Sequence, residues 1–221
     1  VNFAKSERAE LCDLLDQVGP DAPTLCGDWT THDLAAHLWI RETDPLGAPG
    51  IVAKPLAGLT ERRMAESKAR WPYAELVDRI RRGPARLSVF AFPGVDEEAN
   101  TVEYFVHHED VRRAGETLPA PRSLSAEVED WMWRRMKLMG RALFRRVSVG
   151  VVLERAAVEG APAGDAGAET IRVMPGSEIV TLVGQPSELM LYAYGRGPQS
   201  QVRAVGDEAS VQKLSDSDLG I

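Results

Sequence analysis

The residue pattern of this chain changes near Val147, and that change limits the folds open to it. Up to Arg146 the apolar residues recur mostly at helical spacing. From Val147 onward short β-branched runs take over, in VSVGVVLE, TIRVM and EIVTLVG, and such runs read as strands. The spacing predicts a helical domain over 1–146 and a small α+β domain over 147–221. No internal repeat or low-complexity segment interrupts this division.

Within the first part, residues 4–18 form an amphipathic pattern, with Leu11, Leu14, Leu15 and Val18 on one stripe and Gly19-Pro20 as the stop. Thr30 and Asp33 have the spacing of a capping box, with Asp in the usual Glu or Gln position. A second helix is expected from there to about Arg41, with Leu34, Ala35 and Leu38 apolar and His37 beside them. Residues 42–56 carry three prolines and two glycines and read as a long loop of the kind that can serve as a lid. Helical patterns return over 57–70 and after Pro72, where Leu76, Val77 and Ile80 share a face. AFPGVDEE reads as a loop before a helix over 100–114. After the Pro-rich ETLPAPRS, residues 123–146 read as a long helix. Its expected buried side is Val128, Trp131, Met132, Met136 and Met139, opposite a basic face read as solvated.

In the second part, Pro186 opens a short helix ended by Gly195. QVRAVG reads as a last strand and DEASVQKLS as a last helix.

A net charge of −7 argues against a nucleic-acid-binding module, which needs a basic face. No apolar run reaches the ~18–20 residues of a membrane-spanning helix. The segment VNFAKSERAE lacks the apolar core of a signal peptide. With only Cys12 and Cys26, and no CxxC pair, there is no disulfide framework. A cytoplasmic location is expected, with no nucleic acid and no membrane as partner.

The chemistry-bearing stretch is NTVEYFVHHEDVRRA, residues 100–114. Glu103 and His107 are four apart, so on a helix they share a face. Asp110 follows by three and can fix the imidazole's tautomer. Helix bundles build metal sites from inward-facing side chains of facing helices, and His37 can supply a third donor. Two imidazoles and one carboxylate make a zinc-type shell that keeps a position open for water or substrate. The spacing by itself leaves a surface Glu–His pair and a core histidine open. It is not the HExxH pattern of metalloproteases.

The run Cys26-Gly27-Asp28-Trp29-Thr30-Thr31-His32-Asp33-Leu34-Ala35-Ala36-His37-Leu38 resembles the GW[ST]xxDLxxHL segment of the mycothiol-dependent maleylpyruvate isomerase N-terminal family. Glu103-Tyr104-Phe105-Val106-His107-His108-Glu109-Asp110 resembles its ExxxHxxD segment, in the same order along the chain. VTLVGQPSELMLYAYGRGPQSQVRAVGDEASVQKL is similar to that family's small sterol-carrier-like domain. The resemblance implies a DinB-like four-helix bundle followed by the α+β domain. It also implies a divalent metal, zinc or another such as nickel, on His37, Glu103 and His107. His108 departs from the small residue usual there and is expected packed beside the site or at its rim. His32 is expected to be exposed. Trp29 is expected as a packed anchor and Asp33 as a cap.

Arg196 matches an arginine that grips a carboxylate-bearing substrate in isomerase-type members. The implied activity is a thiol-dependent isomerisation or S-transfer. In it a metal-bound low-molecular-weight thiol, mycothiol or similar, attacks a small electrophile, and the chain is a monomer or homodimer. A non-catalytic metal-binding protein, such as a sensor, and a small-ligand carrier are the alternatives.

Overall fold

Leu11, Cys12 and Leu15 are fully buried along one side of the first helix, α1 (Phe3–Val18), as the stripe predicts. Val18, the last residue of the expected stripe, is exposed. The computed structural model describes residues 3–44, 54–83, 95–156 and 169–220. It divides into two compact units, Val1–Pro119 and Ala120–Ile221. The chain is mixed α/β: among the described residues there are eight α-helices, and a four-stranded sheet follows the helical part.

The first unit continues with α2 (Thr31–Thr43), α3 (Ala57–Arg70), α4 (Tyr73–Arg82) and α5 (Val95–Arg112). The expected capping box opens α2. The Asp33 amide donates to Thr30 Oγ1 at 3.4 Å, and the Thr30 amide donates to Asp33 Oδ2 at 3.1 Å. Pro72 precedes α4, and Gly83, at φ 79°, closes it. α1 packs on α5 and α4, and α2 packs on α3 and α4. Leu34 and Leu38 of α2, Leu76 and Ile80 of α4 and Tyr104 of α5 complete the core around Leu11 and Leu15.

Two expected boundaries move. α5 starts at Val95, not Asn100. α2 takes in Glu42 and Thr43 from the expected loop, and Lys54–Leu56 is a 3-10 turn. The rest of that loop, residues 45–53, lies outside the described residues, as do 91–94 of the AFPGVDEE segment.

The second unit holds α6 (Ala126–Leu143), β1 (Gly150–Arg155), β2 (Thr170–Met174), β3 (Ile179–Gly184), α7 (Pro186–Leu191), β4 (Arg203–Val205) and α8 (Glu208–Ser215). The sheet order is β2-β1-β3-β4. β1 lies parallel to β3, and the two outer pairs are antiparallel.

The change of pattern at Val147 places the end of the first domain at residue 146. The compact units instead divide at 119/120, which puts α6 with the sheet. The cause is what α6 packs on. It contacts β2 and α7, and its Glu129 carboxylate accepts hydrogen bonds from the Ser187 amide and hydroxyl at the start of α7. Its buried side is Met132, Trp133, Met136, Gly140 and Leu143. Trp133 takes the place expected for Trp131, and Val128 and Met139 are only half-buried. At Gly140 the helix comes so close to β2 that a Cβ would stand 2.5 Å from Val173 Cγ1.

Candidate metal centre

α2 and α5 each turn a row of polar side chains toward the other. His37 and Arg41, four apart, come from α2; Glu103 and His107, four apart, come from α5. Glu103 Oε1 lies 3.1 Å from His37 Nε2 and 3.2 Å from His107 Nε2. The two imidazole rings meet edge to face, with centroids 5.1 Å apart. One donor atom from each of the three residues lies within 4.8 Å of the other two.

These distances fit one small cation. Tetrahedral zinc with bonds of about 2.0–2.2 Å has donor–donor edges of roughly 3.3–3.6 Å, a little longer than both Glu103–imidazole separations. The three side chains can therefore take a metal with small adjustments.

His107 is fixed from behind. Its Nδ1 donates to Asp110 Oδ2 at 2.9 Å, and that carboxylate is fully buried. This hydrogen bond fixes the ring with Nε2 toward Glu103, the orientation that metal-binding histidines usually show once Nε2 has given up its proton. Cys26 Sγ also donates to Asp110 Oδ2, at 3.0 Å, and lies 3.7 Å from His107 Nδ1. The loop that carries Cys26 is tied to α5 by the Leu25 amide, which donates to the Asp110 carbonyl at 3.1 Å. Gly27 at φ 64° lets the chain turn immediately afterwards.

His37 is held differently. Its buried Nδ1 has no hydrogen-bond partner among the described residues, and its ring packs against Trp29 at 5.1 Å between centroids. The expected anchor, Trp29, thus anchors a candidate ligand as well as the helix start.

The protonation states follow from these contacts. Burial would raise the Glu103 carboxyl, but hydrogen bonds from His107 and His37 outweigh it and hold the group well below the usual range. Burial would lower His107, but its bonds to Asp110, Cys26 and Glu103 prevail and lift it well above an ordinary histidine. Burial lowers His37 and keeps that ring neutral. Protons and a carboxylate thus sit where an ion's positive charge and its ligands would be, so metal must displace a proton to enter.

Sequence reasoning missed Arg41. Its Nε lies 3.2 Å from Glu103 Oε1, and it donates through Nη1 to Asn100 Oδ1. Asn100 Nδ2 in turn donates to Glu42 Oε1 at 3.0 Å. Glu42 also accepts the Tyr104 hydroxyl at 2.8 Å and a two-pronged pair from Arg8 at 2.6 and 2.7 Å. A polar chain thus runs from α1 through the core to Glu103. The signal for Arg41 was present, since it follows His37 by the spacing that links Glu103 to His107. Cys26, one of the two thiols in the sequence, sits on a loop, where no helical spacing links it to Asp110.

The other expected residues fall elsewhere. His108 is buried and faces α1, with Nδ1 3.2 Å from Glu7 Oε2. His32, expected to be exposed, is half-buried against the edge of Tyr73. Cys12 is a core residue whose thiol is pushed up to about 12 by burial. Arg196 belongs to the second unit, where its guanidinium donates to the Tyr194 carbonyl beside Gly195, at φ 84°. No known protein family, curated protein or solved structure matches the chain.

Proposed function

We propose that the chain binds one divalent cation through His37, Glu103 and His107, and that it belongs to the class of thiol-dependent isomerases and S-transferases. The observation that carries the metal reading is the single oxygen, Glu103 Oε1, within 3.2 Å of imidazole nitrogens from two different helices. Borderline nitrogen donors with one carboxylate favour zinc, and nickel is the next candidate. The resemblance of the two motif segments to the maleylpyruvate isomerase family supports the thiol-dependent class.

A zinc ion held here would supply Lewis acidity and lower the pKa of a thiol presented to it. The residues of the chain have the other tasks. His37 and His107 would each offer Nε2 to the ion once the protons shared with Glu103 are displaced, Asp110 holds the His107 ring orientation, and Arg41 restrains the Glu103 carboxylate. Trp29 covers His37 and keeps water from it. Arg196 is the candidate grip for a substrate carboxylate by the same resemblance, since guanidinium binds carboxylates through paired hydrogen bonds.

The near-complete burial of His37 and His107 favours a second reading, in which the protein holds a metal without turnover. Metal analysis of the purified protein beside His37→Ala tests the binding claim. About one equivalent of zinc or nickel is expected in the wild type, and a large loss in the variant. Comparable metal in both proteins would refute the site. Thiol consumption by zinc-loaded protein with maleylpyruvate or an epoxide then separates the two readings, because the non-catalytic one predicts none.

A further inference from the structure

A carboxylate binds a metal ion through one oxygen or through both, and in this group the two oxygens of Glu103 are not alike. Oε1 takes every contact: His37 Nε2 at 3.1 Å, His107 Nε2 at 3.2 Å and Arg41 Nε at 3.2 Å. Among the described residues no hydrogen bond reaches Oε2. Glu103 is also the most accessible of the three, its side chain 21% exposed against 6% for His37 and 11% for His107. The open side of the group is therefore the carboxylate's side. Three donor atoms leave a tetrahedral ion one free position. A small ligand arriving from the open side would compete with Oε2 for it.

Arg41 bears on that competition. It follows His37 by one helical turn, so both reach Glu103 from the same face of α2. Its Nη1 donates to Oδ1 of the fully buried Asn100, whose amide nitrogen donates to Glu42 Oε1 at 3.0 Å. Arg8 fixes Glu42 in turn through a two-pronged pair. The guanidinium is thus anchored on α5 three residues before Glu103, with Nε at Oε1. Turning the carboxylate until both oxygens met an ion would carry Oε1 away from Nε. That would cost a charge-assisted contact of a guanidinium only 15% exposed.

We propose that Arg41 is a positioning residue that keeps Glu103 a one-oxygen ligand, and so keeps the ion's fourth position free for a small ligand from solution. The inference rests on the metal reading above and adds to it the group that sets the coordination number. A purely structural ion pair would set stability and leave the ion's coordination as it was.

Cobalt(II) substitution of the full chain tests this, because four-coordinate cobalt absorbs visible light much more strongly than five- or six-coordinate cobalt. Stoichiometry is read first. About one equivalent is expected in the wild type, and none would refute the metal reading and this inference with it. At saturating cobalt the wild type should absorb strongly and shift on titration with azide. Arg41→Gln should absorb several-fold less and take azide about tenfold more weakly, because Oε2 then fills the position. Arg41→Lys returns a cation to Oε1 and should recover most of the absorption. Urea midpoints of all three proteins read the fold separately. Wild-type absorption and azide affinity in Arg41→Gln would overturn the proposal, whatever its stability. So would bound cobalt in the wild type that azide does not shift, or a loss in Arg41→Lys equal to that in Arg41→Gln.

Discussion

Asp110 shows how one buried oxygen can govern a metal ligand. Its Oδ2 accepts both the His107 Nδ1–H and the Cys26 S–H. Replacing it with Asn removes the charge and one acceptor. Partners of this kind are worth about 10–100-fold in metal affinity. Asp110→Asn is therefore expected to weaken zinc by that factor in a competition titration against a chelator, whereas Cys26→Ser keeps a donor to the same oxygen and should change affinity much less. Glu42 is the other residue on which much depends, because four side-chain donors from three partners converge on it in the core. Removing one member of a buried ion pair costs about 3–5 kcal/mol. Glu42→Ala should lower the urea midpoint accordingly, with Arg8 left charged and unmatched.

At the scale of elements, α2 matters most, since its His37 and Arg41 both reach Glu103 of α5. Its start is fixed by Thr30 and Asp33, and Lys68 of α3 donates to Asp33 Oδ1 at 2.6 Å. Thr30→Ala is expected to cost about 1 kcal/mol, read as a shift in chemical denaturation. Burial would raise the Asp33 carboxyl, but hydrogen bonds from Lys68 and Thr30 outweigh it and set it below its ordinary value. A carboxyl lowered by folding stabilises the protein above its unfolded pKa of about 3.9. That contribution is lost as pH falls through the folded value. Asp33→Asn should therefore destabilise at neutral pH and flatten the loss of stability below about pH 4, as followed by urea midpoints across that range.

At the scale of the whole molecule, all donors of the metal group lie in Val1–Pro119. Ligand that binds only the folded form stabilises it by about 2.7 kcal/mol at a hundredfold excess over Kd. Zinc is therefore expected to slow amide exchange in α2 and α5 while exchange in β1–β4 stays as it was, measured by hydrogen-exchange mass spectrometry. Uniform protection across both units would contradict the placement of the site.

Much of this was legible along the chain. Periodicity located α1, α3, α4 and the strands, the Thr30–Asp33 spacing gave the start of α2, and the four-residue step put Glu103 beside His107. Each of these depends on neighbours a few positions apart, which local sequence encodes directly. The rest depended on contacts between residues far apart in the chain. α6 reads as one more amphipathic helix, and only its packing on β2 and α7 assigns it to the second unit. His37 reads as an ordinary core histidine until α2 and α5 meet at Glu103. Cys26 meets Asp110 because the Leu25 amide ties its loop to α5, far along the chain. A stripe of apolar residues states that a face will be buried, but the partner it finds, and the polar atoms brought together beside it, are chosen only when the helices pack.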